Sequence, residues 1–191
     1  MNVESQRELQ LLTEVDRDAR VTQRALAKNL GVALGLTNLY LKRLAGQRYI
    51  ATSFGEGRRV GYRLTPRGVA KKMQLVRLSL QHSLNHYRDI RRRFRDLLSG
   101  VARRGARRIV IYGTGETAEV AYLTVLDMGL TLVGFVDGGG PHTFLSYPSG
   151  TLESLLQWEY DAVVIADFSR TRKIRAQMLA SGVPESKLIS L

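Results

Sequence analysis

The strongest constraint on this chain is the stretch from Pro66 to Val101, which contains no further proline and carries one apolar stripe along its length. Thr65, Pro66 and Arg67 have the chemistry of an N-cap, a first helical residue and a first turn. Steps of four and three from Val69 reach Met73, Val76, Leu80, Ser83, Tyr87, Ile90, Phe94, Leu97 and Val101, and only Ser83 interrupts the pattern. A 3.5-residue repeat buries a narrow seam against another helix, while Lys71, Lys72, Arg77, Arg88, Arg91, Arg92, Arg93 and Arg95 solvate the other faces. At about 1.5 Å per residue such a helix is roughly 50 Å long, more than one small domain covers. The pattern predicts a coiled-coil-like dimerisation helix over 69–104, with two copies meeting through Val69, Met73, Val76, Leu80, Tyr87, Ile90, Phe94 and Leu97. The alternative is an amphipathic helix packed on its own domain.

The 191 residues are enough for a small domain on either side of that helix, predicted at 1–68 and 105–191. The net charge of +12 is unevenly placed. Residues 1–104 hold 22 Lys and Arg against 8 Asp and Glu, whereas residues 105–191 hold 7 against 9. A front half this basic meets a polyanion, and double-stranded DNA fits better than a membrane, because the apolar helix face is spent on the seam. With no cysteine, no apolar run near 18 residues and a polar start from Met1 to Gln10, the chain reads as cytoplasmic, with no signal peptide and no membrane partner.

Leu9, Leu12 and Val15 mark a first short helix over 4–18. Thr22 caps a second, with Ala25, Leu26 and Leu30 inward and Gly31 at its end. A turn over 31–35 leads to a third helix that runs to about Ala45 and buries Thr37, Tyr40, Leu41 and Leu44. This is a helix-turn-helix. Ile50, Thr52 and Phe54 alternate, Gly55-Glu56-Gly57 turns, and Val60, Tyr62 and Leu64 alternate again, which predicts a β-hairpin wing with Arg58 and Arg59 at its tip.

The order of three helices, hairpin and long helix resembles the winged-helix regulators of the MarR type. The stretches Gly31 to Leu44 (GVALGLTNLYLKRL) and Tyr62 to Gly68 (YRLTPRG) are similar to the MarR-type regulators associated with exopolysaccharide gene clusters. The resemblance covers about residues 5–98. It implies that the third helix enters the major groove and presents Leu36, Asn38, Leu39, Lys42 and Arg43, while Arg58 and Arg59 meet phosphates. Asn38 can pair with adenine, and Lys42 or Arg43 with guanine or a phosphate. Each of these side chains is otherwise a solvated surface group. His82 and His86 lie one turn apart, but with no glutamate beside the first and no cysteine they predict no metal site.

Gly100 to Gly105 (GVARRG) is expected to loosen the chain before a change of composition. Arg108 to Tyr112 is an apolar strand, followed at once by Gly113-Thr114-Gly115-Glu116-Thr117-Ala118 opening a helix. In that context Gly113 permits a tight turn, Gly115 lets a phosphate approach the helix N-terminus, and Ala118 lets helix and strand pack closely. A second strand, Thr131 to Val136, ends at Asp137, where an acid holds a ribose hydroxyl. A helix at about 151–158, a strand 161–166, a helix at about 171–180 and a strand 187–191 complete a four-stranded parallel, Rossmann-like sheet of order 2-1-3-4. Ile111 to Glu116, Val133 to Asp137 and Tyr147-Pro148 resemble the small nucleotide-binding domains of sugar O-acyltransferases and nucleotide-sugar epimerase-dehydratases. That likeness implies Gly113, Thr114, Gly115, Glu116 and Asp137 as cofactor-binding residues for NAD or a nucleotide-sugar. Against it, Gly138-Gly139-Gly140 stands where a second acid is common, and Glu116 repels a pyrophosphate, so a domain without any ligand stays open.

Two domains, a winged helix with a dimerisation helix and a small α/β sheet, predict a homodimeric, sequence-specific transcriptional regulator and not an enzyme. No Tyr-x-x-x-Lys pair, catalytic carboxylate pair or Ser-His-Asp arrangement can be placed. The alternatives are a ligand-free architectural DNA-binding protein and an NAD-sensing repressor of the Rex kind.

Overall fold

The computed structural model describes residues 1–54, 60–140 and 142–190, and of Phe54 its backbone only. The chain divides into two compact units, Met1–Asn85 and His86–Leu191. The division falls inside one helix, α4 (Pro66–Arg103), so the stretch 69–104 is shared between them.

The N-terminal unit contains α1 (Val3–Arg17), α2 (Gln23–Leu30), α3 (Leu34–Gly46) and the antiparallel strands β1 (Ile50–Phe54) and β2 (Val60–Leu64). Thr22 caps α2 by accepting from the Ala25 N–H at 3.1 Å, and α2 ends at Gly31 as its sequence predicts. The third helix begins earlier than expected, at Leu34, and buries Thr37, Tyr40, Leu41 and Leu44. The register Ile50↔Leu64 to Phe54↔Val60 is that of the predicted wing, whose tip, with Arg58 and Arg59, lies outside the described residues. Leu11, Leu12 and Val15 of α1, Leu26 of α2, Ile50, Tyr62 and Leu75 of α4 close the core around α3.

The start of α4 is fixed by local chemistry. Thr65 Oγ1 accepts from the Gly68 N–H at 3.0 Å and donates to the Arg48 carbonyl at 2.6 Å, so the cap also ties the helix to the turn before β1. Gly68 sits against that turn: a Cβ there would lie 1.9 Å from the Tyr49 carbonyl oxygen. Only glycine lets the two backbones approach so closely.

The C-terminal unit is a three-layer α/β domain. Its strands β3 (Arg108–Tyr112), β4 (Thr131–Val136), β5 (His142–Phe144), β6 (Tyr147–Gly150), β7 (Ala162–Ile165) and β8 (Leu188–Ser190) form a mixed sheet of order β5-β6-β4-β3-β7-β8. Four consecutive strands, β4-β3-β7-β8, are parallel in the predicted 2-1-3-4 order. The expectation of only four strands is corrected by the hairpin β5–β6, which extends the sheet beyond β4. Its turn places Leu145 and Ser146 at φ 49° and 67°, values that Asn-Gly pairs ordinarily supply, so no turn signature marked it. Phe144 meets Phe135 edge-on at 4.9 Å and Tyr147 lies 5.5 Å from Tyr122, an aromatic cluster that holds the hairpin.

Successive strand residues point to opposite faces, which explains the unbroken apolar runs. Ile109, Ile111, Phe135 and Val164 pack under α5 (Glu116–Asp127) and the last turns of α4. Val110, Tyr112, Val163 and Ile165 pack under α6 (Leu152–Gln157) and α7 (Thr171–Ala180).

The last turns of α4 correct two expectations. Gly100 and Val101 are helical, and Val101 is buried, so the predicted loosening shrinks to the turn at Arg104 and Gly105. The seam is also not one continuous interface: Phe94 is fully buried with Leu98 in the core of this unit, and Tyr87, Ile90 and Leu97 pack against that core. A residue already enclosed by its own chain is not available to a second copy. Arg91 and Arg95 pair with Asp127 of α5 beside the same contact. Phe94→Ala is expected to destabilise this unit by about 3–5 kcal/mol through the cavity it leaves. Calorimetry over a range of protein concentrations checks it. A seam residue would give a loss that varies with concentration, whereas a core residue gives a constant one.

Candidate nucleic-acid interface and ligand cavity

In the N-terminal unit the side of α3 opposite the core is the candidate reader. Lys42 and Leu39 are exposed, as the resemblance implies. Leu36 is not outward: it is half-buried against the core of the unit. Asn38 is half-buried too, and its Oδ1 is buried without a hydrogen-bond partner among the described residues. In this conformation it cannot present both amide atoms to an adenine, which a bidentate contact requires. Arg43 is held on its own chain, since its guanidinium pairs with Glu4 of α1 and lies 4.9 Å over the Tyr40 ring. Leu36, Leu39, Tyr40, Arg43 and Glu4 line a hollow of about 140 Å³.

In the C-terminal unit, a cavity of about 750 Å³ opens where the chain leaves β3, β4 and β7 at their C-terminal ends. After β3 the chain passes through α5 to β4 on one side of β3, and later reaches β7 on its other side. Crevices form at such a switch point. Gly113 adopts φ 118°, which side-chain-bearing residues rarely reach, and its N–H donates to the Val136 carbonyl at 2.8 Å. Gly115 is the N-cap of α5, and a Cβ there would meet nothing within 4 Å. Ala118 is fully buried where helix and strand meet. Gly113, Thr114, Gly115, Glu116 and Asp137 all line the cavity, so the structure brings the five predicted residues together.

Asp137 is already engaged there. Its Oδ2 accepts from Thr114 Oγ1 at 2.7 Å, and its Oδ1 accepts from the Gly139 N–H at 2.8 Å. His142 Nε2 also lies 3.7 Å from Oδ2, and Oδ1 keeps a second lone pair for a ligand hydroxyl. The glycines after Asp137, read as a missing acid, thus supply a backbone donor that holds the acid present.

Asp167 and Arg170, in the loop after β7, complete the wall and were not predicted. Asp167 Oδ1 accepts from Ser169 Oγ at 2.8 Å and from the Ser169 and Arg170 N–H groups at 3.0 Å. Its Oδ2 accepts from Arg170 Nε at 2.9 Å and Nη2 at 2.6 Å. An acid directly after a buried apolar strand, with an arginine three residues on, is the only signal that the sequence offers. Burial alone would raise the Asp167 carboxyl, but the hydrogen bonds from Ser169 and Arg170 outweigh it and hold it below the ordinary aspartate value. Burial raises the Tyr112 phenol at the cavity floor, against the opposing pull of Arg170. With Arg170 matched by Asp167, the remaining charges on the wall are the carboxylates of Glu116 and Asp137. The wall therefore offers carboxylates to ligand hydroxyls, and the α5 N-terminus at Gly115 offers backbone amides to a phosphate.

His82 and His86 are exposed on α4, and no group of three or more metal-ligating side chains occurs among the described residues. Nor is any described helix long and apolar enough to cross a membrane.

Residues 4–50 match the family model for winged helix-turn-helix DNA-binding domains, and residues 105–189 match one described as C2185-like, N-terminal. The N-terminal unit thus has the winged helix-turn-helix fold. Among curated proteins no relative matches the chain. Solved structures that resemble it include a MarR family protein of Mycobacterium tuberculosis in complex with p-aminosalicylic acid, at 22% identity and TM-score 0.36, covering 42% of this chain and 64% of that one. MepR of Staphylococcus aureus, a transcription regulator of the multidrug efflux pump MepA, follows at 18% identity and TM-score 0.38, over 53% of this chain and 80% of its own. Lactococcus lactis ZitR stands at 21% and 0.36, over 67% and 74%. All three are distant in sequence and superpose too loosely to carry a functional reading.

Because Asp167 is depressed in the folded state, its bonds contribute stability above about pH 4, the unfolded aspartate value, and lose it as pH falls through the lower folded midpoint. Carboxyl-carbon NMR is expected to show Asp167 titrating below a free aspartate, and Arg170→Ala is expected to move that midpoint upward. An unmoved midpoint would mean that Arg170 does not hold the carboxylate.

Proposed function

We propose that this chain is a sequence-specific transcriptional regulator that binds DNA as a homodimer, and that its α/β unit responds to a nucleotide or nucleotide-sugar. The observation that carries the reading is the winged helix-turn-helix, in which α3 keeps one side out of the core with Leu39 and Lys42 exposed. The charge supports it, since the excess of Lys and Arg lies in residues 1–104.

The dimer rests on what remains of the stripe along α4. Val69, Met73 and Leu80 are each about half exposed or more, and Leu84, also exposed, continues the stripe past the break at Ser83. Burying such side chains contributes roughly 1.5–3 kcal/mol each, so two copies meeting along this part of α4 gain from pairing. A twofold pair of readers fits a palindrome with half-sites about 10 bp, roughly 34 Å, apart. The role of the α/β unit is supported by the cavity, by the turn from Gly113 to Gly115 and by Asp137, which Thr114 orients in the cavity wall. A ligand that prefers one dimer geometry by about 2 kcal/mol changes operator affinity roughly thirtyfold. That the regulated genes serve polysaccharide production rests on the MarR-type resemblance alone.

The Met73→Asp, Leu80→Asp double variant is expected to run as a monomer in light scattering at micromolar concentration and to bind a palindrome no better than a half-site. Dimers that persist would move the interface elsewhere. For the ligand, UDP-sugars and NAD(H) are tested in thermal unfolding of the full chain, where binding raises the midpoint by mass action. A rise that disappears in Gly115→Val, whose side chain has open space around it, supports the cavity as the site. No shift with any compound removes the ligand from this reading and leaves the DNA-binding part standing.

A further inference from the structure

Leu39 is 64% exposed, the most exposed large apolar side chain among the described residues, and it stands on the helix proposed to enter the groove. Its neighbours on that side offer little hydrogen bonding. Gly35, one turn earlier, has no side chain and open space where one would be. Asn38 has its Oδ1 turned inward, and Arg43 is tied to Glu4. Only Lys42 leaves a polar head in solvent, in no ion pair among the described residues. With Arg43 tied to Glu4 and the Asn38 oxygen buried, what this side of the helix offers a base edge is chiefly the apolar Leu39. In the major groove the one apolar group on the base edges is the thymine C5-methyl.

We infer that Leu39 is a specificity-determining residue that reads the C5-methyl of a thymine in each half-site. Gly35 lets the backbone of α3 approach the groove floor, and Lys42 takes a phosphate beside the contact. The inference rests on the DNA-reading function proposed above and adds the base it selects.

The test starts with selection of preferred duplexes from a random pool by the full-length protein, followed by replacement of each thymine by uracil, which removes the methyl and nothing else. One thymine per half-site is expected to lose about fourfold in affinity when replaced, the worth of one buried methyl group. In a double-mutant cycle Leu39→Ala abolishes the distinction between thymine and uracil at that position alone, whereas Leu39→Met keeps it. A preferred site that tolerates uracil throughout, with changes under about twofold, overturns the inference and leaves sequence-specific binding intact. Retained discrimination in Leu39→Ala, with an altered oligomeric state by light scattering, overturns it too and assigns Leu39 to a protein contact. A pool that yields no preferred sequence overturns the DNA-reading function and this inference with it.

Discussion

Phe94, Leu98 and Val101 of α4 are buried against Ile109, Ile111 and the inner face of α5, and this contact decides how the rest of the chain can be used. It makes the last turns of α4 one of the two helices in the layer on that face of the sheet. The sheet needs them, because Ile109, Ile111, Phe135 and Val164 would otherwise face water on a surface that α5 does not cover alone. A helix that reads as one uniform stripe thus does two jobs. Its later residues complete a domain core, and its earlier ones, from Val69 to Leu84, stay outside the core of their own unit except where Leu75 enters it.

The same economy of contacts shapes the two candidate sites. On α3, the Arg43 pair with Glu4 and the burial of the Asn38 oxygen withdraw the better hydrogen-bonding candidates and leave Leu39 and Lys42 to solvent. In the cavity, Thr114 and Gly139 orient Asp137 while Ser169 and Arg170 orient Asp167, so neither carboxylate is loose. Side chains fixed by neighbours in this way lose little further entropy on meeting a ligand.

The site was legible in unequal parts. Four of the five cavity residues, Gly113 to Glu116, announce themselves because a strand, a glycine turn and a helix are contiguous in sequence, and Asp137 follows from the length of the next strand. Asp167 and Arg170 join them only because β7 crosses to the other side of β3, which no local pattern states. On α3, periodicity separated Thr37, Tyr40, Leu41 and Leu44 from the outward side, but it could not know that Glu4, 39 residues away, would hold Arg43.

What the sequence by itself determined are the features set within a few residues: the Thr22 and Thr65 caps, the alternation that pairs β1 with β2, the turn at Gly113, and a single apolar stripe on a long helix. These follow from backbone sterics and side-chain spacing, which act over one or two turns. The tertiary structure decided what covers that stripe, that two further strands extend the sheet through a turn with Leu145 and Ser146 at positive φ, and which charges are tied to their own chain. Periodicity records that a face is to be buried, but the surface that buries it is chosen by packing among segments far apart in sequence.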